Sequence, residues 1–579
     1  MSAFASLALL AAVTLNPTDR LVYDSIVAPR VTGVPPAFAL RYLTWTESGA
    51  LRCYGEDFIA DKVRRVYVES LDLGLTWKTH LAEPGDPGAM VKSPHSGDWF
   101  TLWEDKWNGP YSVIRSRKGP GDVAAARTPI DIRAFNFFRQ PQYLPVNKRW
   151  AITAGCSGQM PSVMLSDDDG VNWRLVRLTN CVSTAGKLIG ADKSARWDNL
   201  TCEPTLLERK DGTLLLLCRT AFDHPYQYRS TDGGLSWEGP VEVPWLWMSN
   251  TMPTYFRLSD GRVLLFWNNN QPLPKRDPAE YPELGGGEIA GKGETVFTNR
   301  DVLHAAISED DGETWIGFRE LLLNPIRNRE DFREQGNLPP RENDKSVHQE
   351  QALELPGGKV LLHIGQNPVA RRFVIFDPKW LYETGRTEDF RYGTDGLSNH
   401  LFVKSLSGNQ RGWAGHCAWN RIPGAILKRE PDTGRKTVRE ALHLARIPDP
   451  RLVTDRQGVA WNFPTARKGS VELDCRLEGK AFHLALSDHF IVPSDEIDFD
   501  LSPVVFRVDP AVVGAKRWLT VKVDWDADAG RAALFAGDRA VATADIPKAP
   551  RFGFSYLHLR ATEEAADPDG TYFRAFRKK

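Results

Sequence analysis

Seven cysteines are spread over 579 residues, with no CxxC pair and no histidine partners at ligand spacing. That argues against a zinc site and against a dense disulfide scaffold, and the odd count leaves one thiol unpaired. Charge of one sign is equally lacking. The chain has 73 Lys+Arg against 74 Asp+Glu, so no polyanion-binding surface dominates and nucleic acid is not an expected partner. With 42% hydrophobic residues the composition is not that of a disordered polymer. The only long apolar run, Ala3–Leu15, is too short to span a bilayer. It sits where a secretory signal would, without a Lys or Arg ahead of it. Residues 1–19 therefore read as a signal peptide, the alternative being an apolar N-terminal strand, and the expected location is secreted or periplasmic. HExxH, nucleophile-elbow and dinucleotide fingerprints are missing. The phosphate-loop look-alike Gly286–Gly293 (GGEIAGKG) has no closing Ser or Thr and no following helix, and reads as a flap. The sequence calls for no cofactor and no metal.

What is abundant is tryptophan, 19 residues in all, and the tryptophans mark a repeat. Ser-x-Asp-x-Gly-x-x-Trp occurs at Ser70–Trp77 (SLDLGLTW), Ser166–Trp173 (SDDDGVNW), Ser230–Trp237 (STDGGLSW) and Ser308–Trp315 (SEDDGETW). The pattern describes a hairpin turn: Ser and Asp cap backbone N–H groups, Gly takes a positive φ, and the indole packs the turn onto its own sheet. The acidic run Asp167, Asp168, Asp169 is read as turn capping, not as a calcium or catalytic site. A second repeat is an apolar strand, a tight turn and another apolar strand, with turns near Gly49, Gly97, Asn147, Gly212, Gly261 and Gly358. Boxes follow the first, third and fourth of these turns after about 20 residues, and degenerate turns at Ser116 and Asp377 follow the second and sixth at the same interval. The fifth interval is stretched by a Gly-, Pro- and Asn-rich loop, Asn268–Asn299.

Six four-stranded units in series predict an all-β chain with a six-bladed β-propeller, assigned to residues 20–445. From about Arg451 onward, alternating strands without boxes predict a β-sandwich of the jelly-roll, lectin-like kind over 446–579. They are Ser470–Leu477, His483–Ser487, Val504–Val508, Trp518–Trp525, Ala532–Ala536, Phe552–Leu559 and Thr571–Phe576. Its expected task is packing, with carbohydrate binding as the alternative. Asp524, Asp526, Asp528 and Gly530 superficially resemble a calcium loop. Gly stands one place late and no Glu closes the ring, so a hairpin turn is expected there.

The four boxes resemble the Asp boxes of the sialidase-like (BNR-repeat) superfamily, whose fold is the six-bladed propeller. In such a fold the innermost strands converge on the axis, and polar residues at the open ends of inner hairpins face one pocket. Positions equidistant from each turn should pair across the hairpin. This pairs Glu203 with Arg219, Arg41 with Glu56, His348 with Gln366 and Asn250 with Asn270. Glu104 and Asp105 in the second blade and Arg139 and Gln140 in the third are further candidates. Several arginines in one pocket suit a substrate carboxylate, because guanidinium forks bind it bidentately and stay charged, which points to an acidic sugar.

The resemblance implies roles for some of these residues. Sialidases carry a glutamate followed, across a hairpin tipped by Asp-Gly, by one arginine of a carboxylate-binding triad, and Glu203 and Arg219 stand at that separation. Arg41 (FALRYLTW) lies near the place of another triad arginine, without the Ile-Pro that accompanies it and about two positions displaced. Arg300 and Arg371 are candidates for the third. The acid/base aspartate that precedes the first box corresponds to Asp61, with Asp57 next. At the nucleophile the pattern breaks, for KSVHQEQALELPGG has no tyrosine and offers His348 or Gln349. A tyrosyl-glycoside route is thereby put in question, and His348 becomes a candidate general acid or base. The expected function is that of a monomeric, sialidase-like exo-glycosidase removing a terminal acidic sugar, sialic acid or a relative, from a glycan. Two alternatives remain: a lyase acting on uronic-acid glycans with His348 as base, and a carbohydrate-binding propeller without turnover.

Overall fold

The computed structural model describes residues 15–36, 43–60, 62–104, 110–132, 139–155, 160–178, 201–220, 224–248, 251–270, 300, 302–323, 347–348, 350–365, 370–402, 421–423, 425–431, 439–446, 457–491, 502–562 and 566–579. It divides into two compact units. One comprises Met1–Asn268, Ile307–Glu313 and Ser346–Trp380, and the other Asn269–Ala306, Thr314–Lys345 and Leu381–Lys579.

In the first unit each apolar strand-turn-strand repeat is the inner hairpin of an antiparallel sheet. The first sheet runs Leu43–Trp45, Leu51–Ile59, Lys62–Ser70, Lys78–Leu81, and the second Val91–Lys92, Trp99–Glu104, Tyr111–Ser116, Ala126–Ile130. The third runs Gln142–Leu144, Arg149–Ala154, Ser162–Ser166, Arg174–Arg177, and the fourth Cys202–Glu208, Leu214–Arg219, Tyr226–Ser230, Glu238–Glu242. The fifth inner hairpin is Thr254–Arg257 with Val263–Trp267. The sixth sheet, Gln351–Glu354, Val360–Ile364, Arg372–Phe376, takes its outer strand, Arg30–Gly33, from the start of the chain. Second strands such as Leu214–Arg219 and Val263–Trp267 are buried along their whole length, which is why they read as continuous apolar runs without alternation.

The boxes connect third strands to fourth strands and fold alike. Ser70 Oγ donates to Asp72 at 2.7 Å and accepts from Gly74 N–H at 2.7 Å, Asp72 accepts from Thr76 N–H at 2.9 Å, and Trp77 Nε1 donates to the Gly74 carbonyl at 3.1 Å. The copies at Ser166 and Ser230 repeat every one of these bonds. In the fourth, Ser308 bonds Asp310 and Gly312 in the same way. Positions four and five of each box are both left-handed, with φ 60° at Asp169 and 78° at Gly170. Glycine is required at the fifth: a Cβ on Gly170 would lie 2.6 Å from the Phe100 ring.

The acidic run of the second box is consumed by structure. Asp167 pairs with Arg149 and Arg174, Asp168 caps the turn, and Asp169 accepts from Ser93, Ser96 and Trp150. Asp169 thereby ties the third sheet to the turn of the second. Glu208 does the same for the Asn147 turn, Asp311 for Lys210 N–H, and Glu354 for Ser259. Each latch answers a turn's hydroxyl or backbone N–H donors with a carboxylate from the next sheet.

At the chain start, Pro17–Ser25 is a helix whose N-cap Asn16 accepts from Asp19 N–H at 2.9 Å. Tyr23 and Ile26 bury against Leu355, Leu361 and Phe373. Residues 17–19 therefore open a helix and not a strand, because Asn-Pro sets a cap and first turn; residues 1–14 lie outside the described residues.

The second unit holds two packed sheets. One has the order Ile426–Arg429, Glu440–Arg446, Asp567–Lys578, Lys468–Leu477, Leu519–Asp526, Arg531–Ala536, Arg539–Asp545, with Arg386–Glu388 also on Asp567–Lys578; the other runs Gly458–Ala466, Phe554–Ala561, Phe482–Ser487, Val504–Val508. Trp461, Leu484 and Leu557 meet Val471, Val523 and Phe576 in their common core. Strands at 386–388, 426–429 and 440–446 join this sheet although they precede residue 446, so the boundary expected there does not coincide with the sheet's edge. Gly458–Ala466 escaped the alternation rule because its first seven residues are all buried. Asp524, Asp526 and Asp528 pair with Lys522, Lys468 and Arg467 around a hairpin turn. Cys53, Cys202, Cys218 and Cys475 are buried free thiols.

The box carboxylates make stability sensitive to acid. Hydrogen bonds from Ser236, Ser230 and Leu235 outweigh desolvation and hold Asp232 down to about 2 against an ordinary 3.8. A depressed carboxylate contributes stability above its unfolded value, and that contribution fades as pH falls toward the folded one. Urea unfolding between about pH 4 and 2 should show this decline, reduced in Asp232→Asn.

Candidate functional site

The open end of the fourth inner hairpin is built around a bulge. Thr205 pairs with Leu217, but Arg219 pairs with Cys202, so Glu203 and Pro204 stand outside the ladder. Glu203 has φ 48°, a left-handed conformation uncommon for a residue with a side chain. Two bonds from the third sheet's side hold it there: Glu203 N–H donates to the Gly155 carbonyl at 2.8 Å, and the Pro204 carbonyl accepts from Thr153 Oγ1 at 2.8 Å. The bulge turns Glu203 onto Arg219, with Nη1 3.1 Å from Oε2 and both side chains about 5% exposed (4% and 6%). Arg219 Nε also donates to Cys202 Sγ at 3.3 Å.

Arg139, just ahead of the third inner strand, joins three sheets. Its Nε donates to the Pro204 carbonyl at 2.9 Å, Nη1 to Thr254 Oγ1 at 2.9 Å, and Nη2 to the Pro253 carbonyl. Burial lowers its affinity for the proton, and Glu350 and Glu203 oppose that. Glu350, just ahead of the sixth inner strand, is 5% exposed. Burial pushes its carboxyl up to about 7, against the pull of Thr254 and Arg139. Neither of its oxygens meets a donor in hydrogen-bond geometry. Two arginines and two glutamates thus gather from the third, fourth and sixth hairpins, with Thr254 of the fifth between them. The remaining inner strands are tied in as well. Gln140 and Gln351 both donate to the Leu43 carbonyl, Gln351 accepts from Leu43 N–H, and Thr44 Oγ1 donates to the Met90 carbonyl. Farther along these strands, toward their turns, lies a cavity of about 310 Å³ lined by Leu43, Trp45, Met90, Trp99, Phe256 and Leu353.

The other residues singled out by sequence fall as follows. His348 is buried two residues before Glu350, its carbonyl accepting from Gly365 N–H at 2.9 Å. Glu56 is exposed opposite Arg65, on an extension of the second and third strands beyond the short inner strand Leu43–Trp45, and is not part of the cluster. The first hairpin's register, Leu43 opposite Cys53, is one residue off the expected one. Asn270 belongs to the second unit, where it bridges Phe490. Arg300 is buried in that unit too. Arg371 is buried in the first unit, donating to the Pro36 carbonyl, and burial lowers it to about 10. Arg41, Asp61, Asp105, Asn250, Gln349 and Gln366 lie outside the described residues, as does the Gly286–Gly293 segment, and so does the side chain of Glu104.

Glu350 was missed by pairing polar with polar. The register that sets Gln351 opposite His363 leaves Glu350 opposite Ile364, an apolar partner. The usable signal was a lone acid entering an apolar hairpin. Among the described residues no group of three or more His, Cys, Asp or Glu is placed to hold a metal ion.

Residues 53–330 match the family described as BNR repeat-like domain. No curated protein matches the chain. Among solved structures it is similar to a Trypanosoma rangeli sialidase in complex with sialic acid, at 12% identity over 95% of this chain and 94% of that one, with a TM-score of 0.33. It is also similar to a protein of unknown function from Dyadobacter fermentans, at 15% identity over 60% and 97% with a TM-score of 0.35. A mutant NanB sialidase from Streptococcus pneumoniae matches at 12% identity over 62% and 71%, with a TM-score of 0.34. All three likenesses are remote.

Breaking the Glu203–Arg219 pair on one side strands a buried charge. Arg219→Met or Glu203→Leu alone should cost about 3–5 kcal/mol. The double variant should cost clearly less than the sum, measured by urea denaturation as a double-mutant cycle.

Proposed function

We propose, from the premise that residues 53–330 belong to the sialidase-like BNR-repeat superfamily, that the six hairpins close as a six-bladed propeller and that the protein is a carbohydrate-active enzyme cleaving a terminal acidic sugar from a glycan. The observation that carries this reading is the gathering of Glu203, Arg219, Arg139 and Glu350 at the open ends of hairpins that are otherwise apolar. Buried charges are costly, and a fold keeps several in one place only when they are paired or used.

Arg139 spends Nε, Nη1 and Nη2 on protein acceptors, so its part in the proposal is to hold the strands. Arg219 is the arginine assigned to the sugar's carboxylate, which its planar fork matches and which it meets charged at any working pH. Glu203, held by the bulge against Arg219, orients the attacking water. Arg41 and a further arginine on the clamp, His348 in proton transfer, and Asn250 and Gln366 on sugar hydroxyls complete the assignment. A secreted or periplasmic monomer fits a glycan substrate.

The test is a screen of wild type and Arg219→Lys on sialosides, uronosides and unsubstituted glycosides. Activity should be confined to acidic substrates and fall at least tenfold in the variant, because a point charge does not replace a bidentate fork. Equal turnover of neutral glycosides would count against the clamp. An unsaturated product absorbing in the ultraviolet would make the reaction a lysis. Binding without any turnover would make the protein a lectin.

A further inference from the structure

We infer that Glu350 is the proton donor of this site, delivering its carboxyl proton to the glycosidic oxygen as the bond to the leaving group breaks. The inference rests on the glycosidase reading above and assigns a residue to its chemistry.

Three observations support it. Glu350 enters from the sixth inner strand beside Thr254 and Arg139, the guanidinium that also bears on Glu203. Its two oxygens are buried without a hydrogen bond of good geometry, Thr254 alone bearing on them as a donor, whereas Glu203 is ion-paired with Arg219, Glu208 holds the Asn147 turn and Glu354 holds Ser259. A carboxyl left so poorly satisfied in a buried place is costly, and a ligand oxygen relieves that cost. Third, the three bonds of Arg139 point to Pro204, Thr254 and Pro253 and not to Glu350, so its charge bears on the carboxyl only through space. The carboxyl therefore stays protonated up to about pH 7, where a carboxylic acid both donates and is strong enough to drive departure of an alkoxide.

The step balances with water as co-reactant. The O–H bond of Glu350 breaks and its proton goes to the glycosidic oxygen. The bond from the anomeric carbon to that oxygen breaks, its electron pair leaving with the oxygen as the aglycone alcohol. Water adds to the anomeric carbon and gives a proton to the Glu203 carboxylate. Exchange with solvent then returns Glu203 to carboxylate and Glu350 to acid. The two carboxyl groups play opposite parts, one neutral and one ionised, without a tyrosine.

The acidic sugar identified by the screen, prepared as its methyl and 4-nitrophenyl glycosides, gives the test. Glu350→Gln should lower kcat on the methyl glycoside at least about 100-fold and on the nitrophenyl glycoside less than tenfold, because a good leaving group needs no proton. The fall of wild-type kcat above about pH 7 should vanish in the variant. Glu350→Asp should keep part of the activity and its alkaline limb. Equal losses on both glycosides, or an unchanged alkaline limb, overturn the assignment to Glu350 while leaving the acidic-sugar reading standing. Turnover of no glycoside by wild type overturns that reading and this one together.

A readout independent of turnover guards against misfolding. A raised carboxyl stabilises below its unfolded value and loses that contribution as pH rises through the folded one. Wild-type stability should therefore fall between about pH 4.5 and 7, and Glu350→Gln, folded by circular dichroism, should lack the fall. A fall of equal size in the variant overturns the assignment.

Discussion

The Arg139 guanidinium is the interaction on which the inner strands of the first unit depend. It reaches the carbonyls of Pro204 and Pro253 and the hydroxyl of Thr254, satisfying backbone groups that belong to no ladder. Both carbonyls lie outside a ladder: Pro204 sits in a bulge, and Pro253 precedes the strand Thr254–Arg257. A lysine gathers its donors on one nitrogen and lacks the planar spread over three nitrogens that reaches acceptors on separate segments. With Arg139 directed at these three acceptors, Glu203 is aimed by its bulge at Arg219 and Glu350 feels Arg139 only through space. Charge compensation at this point rests on one ion pair, Glu203 with Arg219, and on a second acid kept neutral by burial.

The periphery follows a different logic, local and repeated. Each box closes its own turn with a serine hydroxyl and an aspartate, and the second to fifth inner turns are each latched by a carboxylate from the next sheet. Neither device needs a large core. The apolar clusters between neighbouring sheets, such as Phe100, Trp150 and Trp173 or Leu144, Leu206 and Leu216, are modest in size. Stability is therefore distributed along the unit, while buried charge is concentrated where the inner strands begin.

Much of the fold was legible because its signals are local. A turn fixes the register of the strands it joins, so Thr254 opposite Phe266 and Gln351 opposite His363 follow from the positions of Gly261 and Gly358. The rule failed where the backbone departs from a regular ladder. The bulge at Glu203 shifts the backbone partner of Arg219 to Cys202 even though the side chains still meet. The first inner strand is too short to carry Glu56 toward its neighbours. The cluster itself was less legible, since Arg139 acts through carbonyls of distant segments and Glu350 has no polar partner across its hairpin, and neither fact leaves a mark in hairpin symmetry. The origin of the sixth sheet's outer strand was equally hidden, for nothing in RVTG names a partner some 340 residues away.

That borrowed strand has a consequence for biosynthesis. Arg30–Gly33 emerges early from the ribosome, but the strand it must join ends at Phe376. At roughly 5–20 residues per second, it waits on the order of 20–70 s with its hydrogen-bonding edge open. The helix Pro17–Ser25, whose buried face is also completed by late-emerging residues such as Leu361 and Phe373, waits with it. Ribosome-bound chains stalled before this point carry an adhesive, half-made edge, and holding it apart from other nascent chains is a task for whatever chaperone meets the polypeptide first.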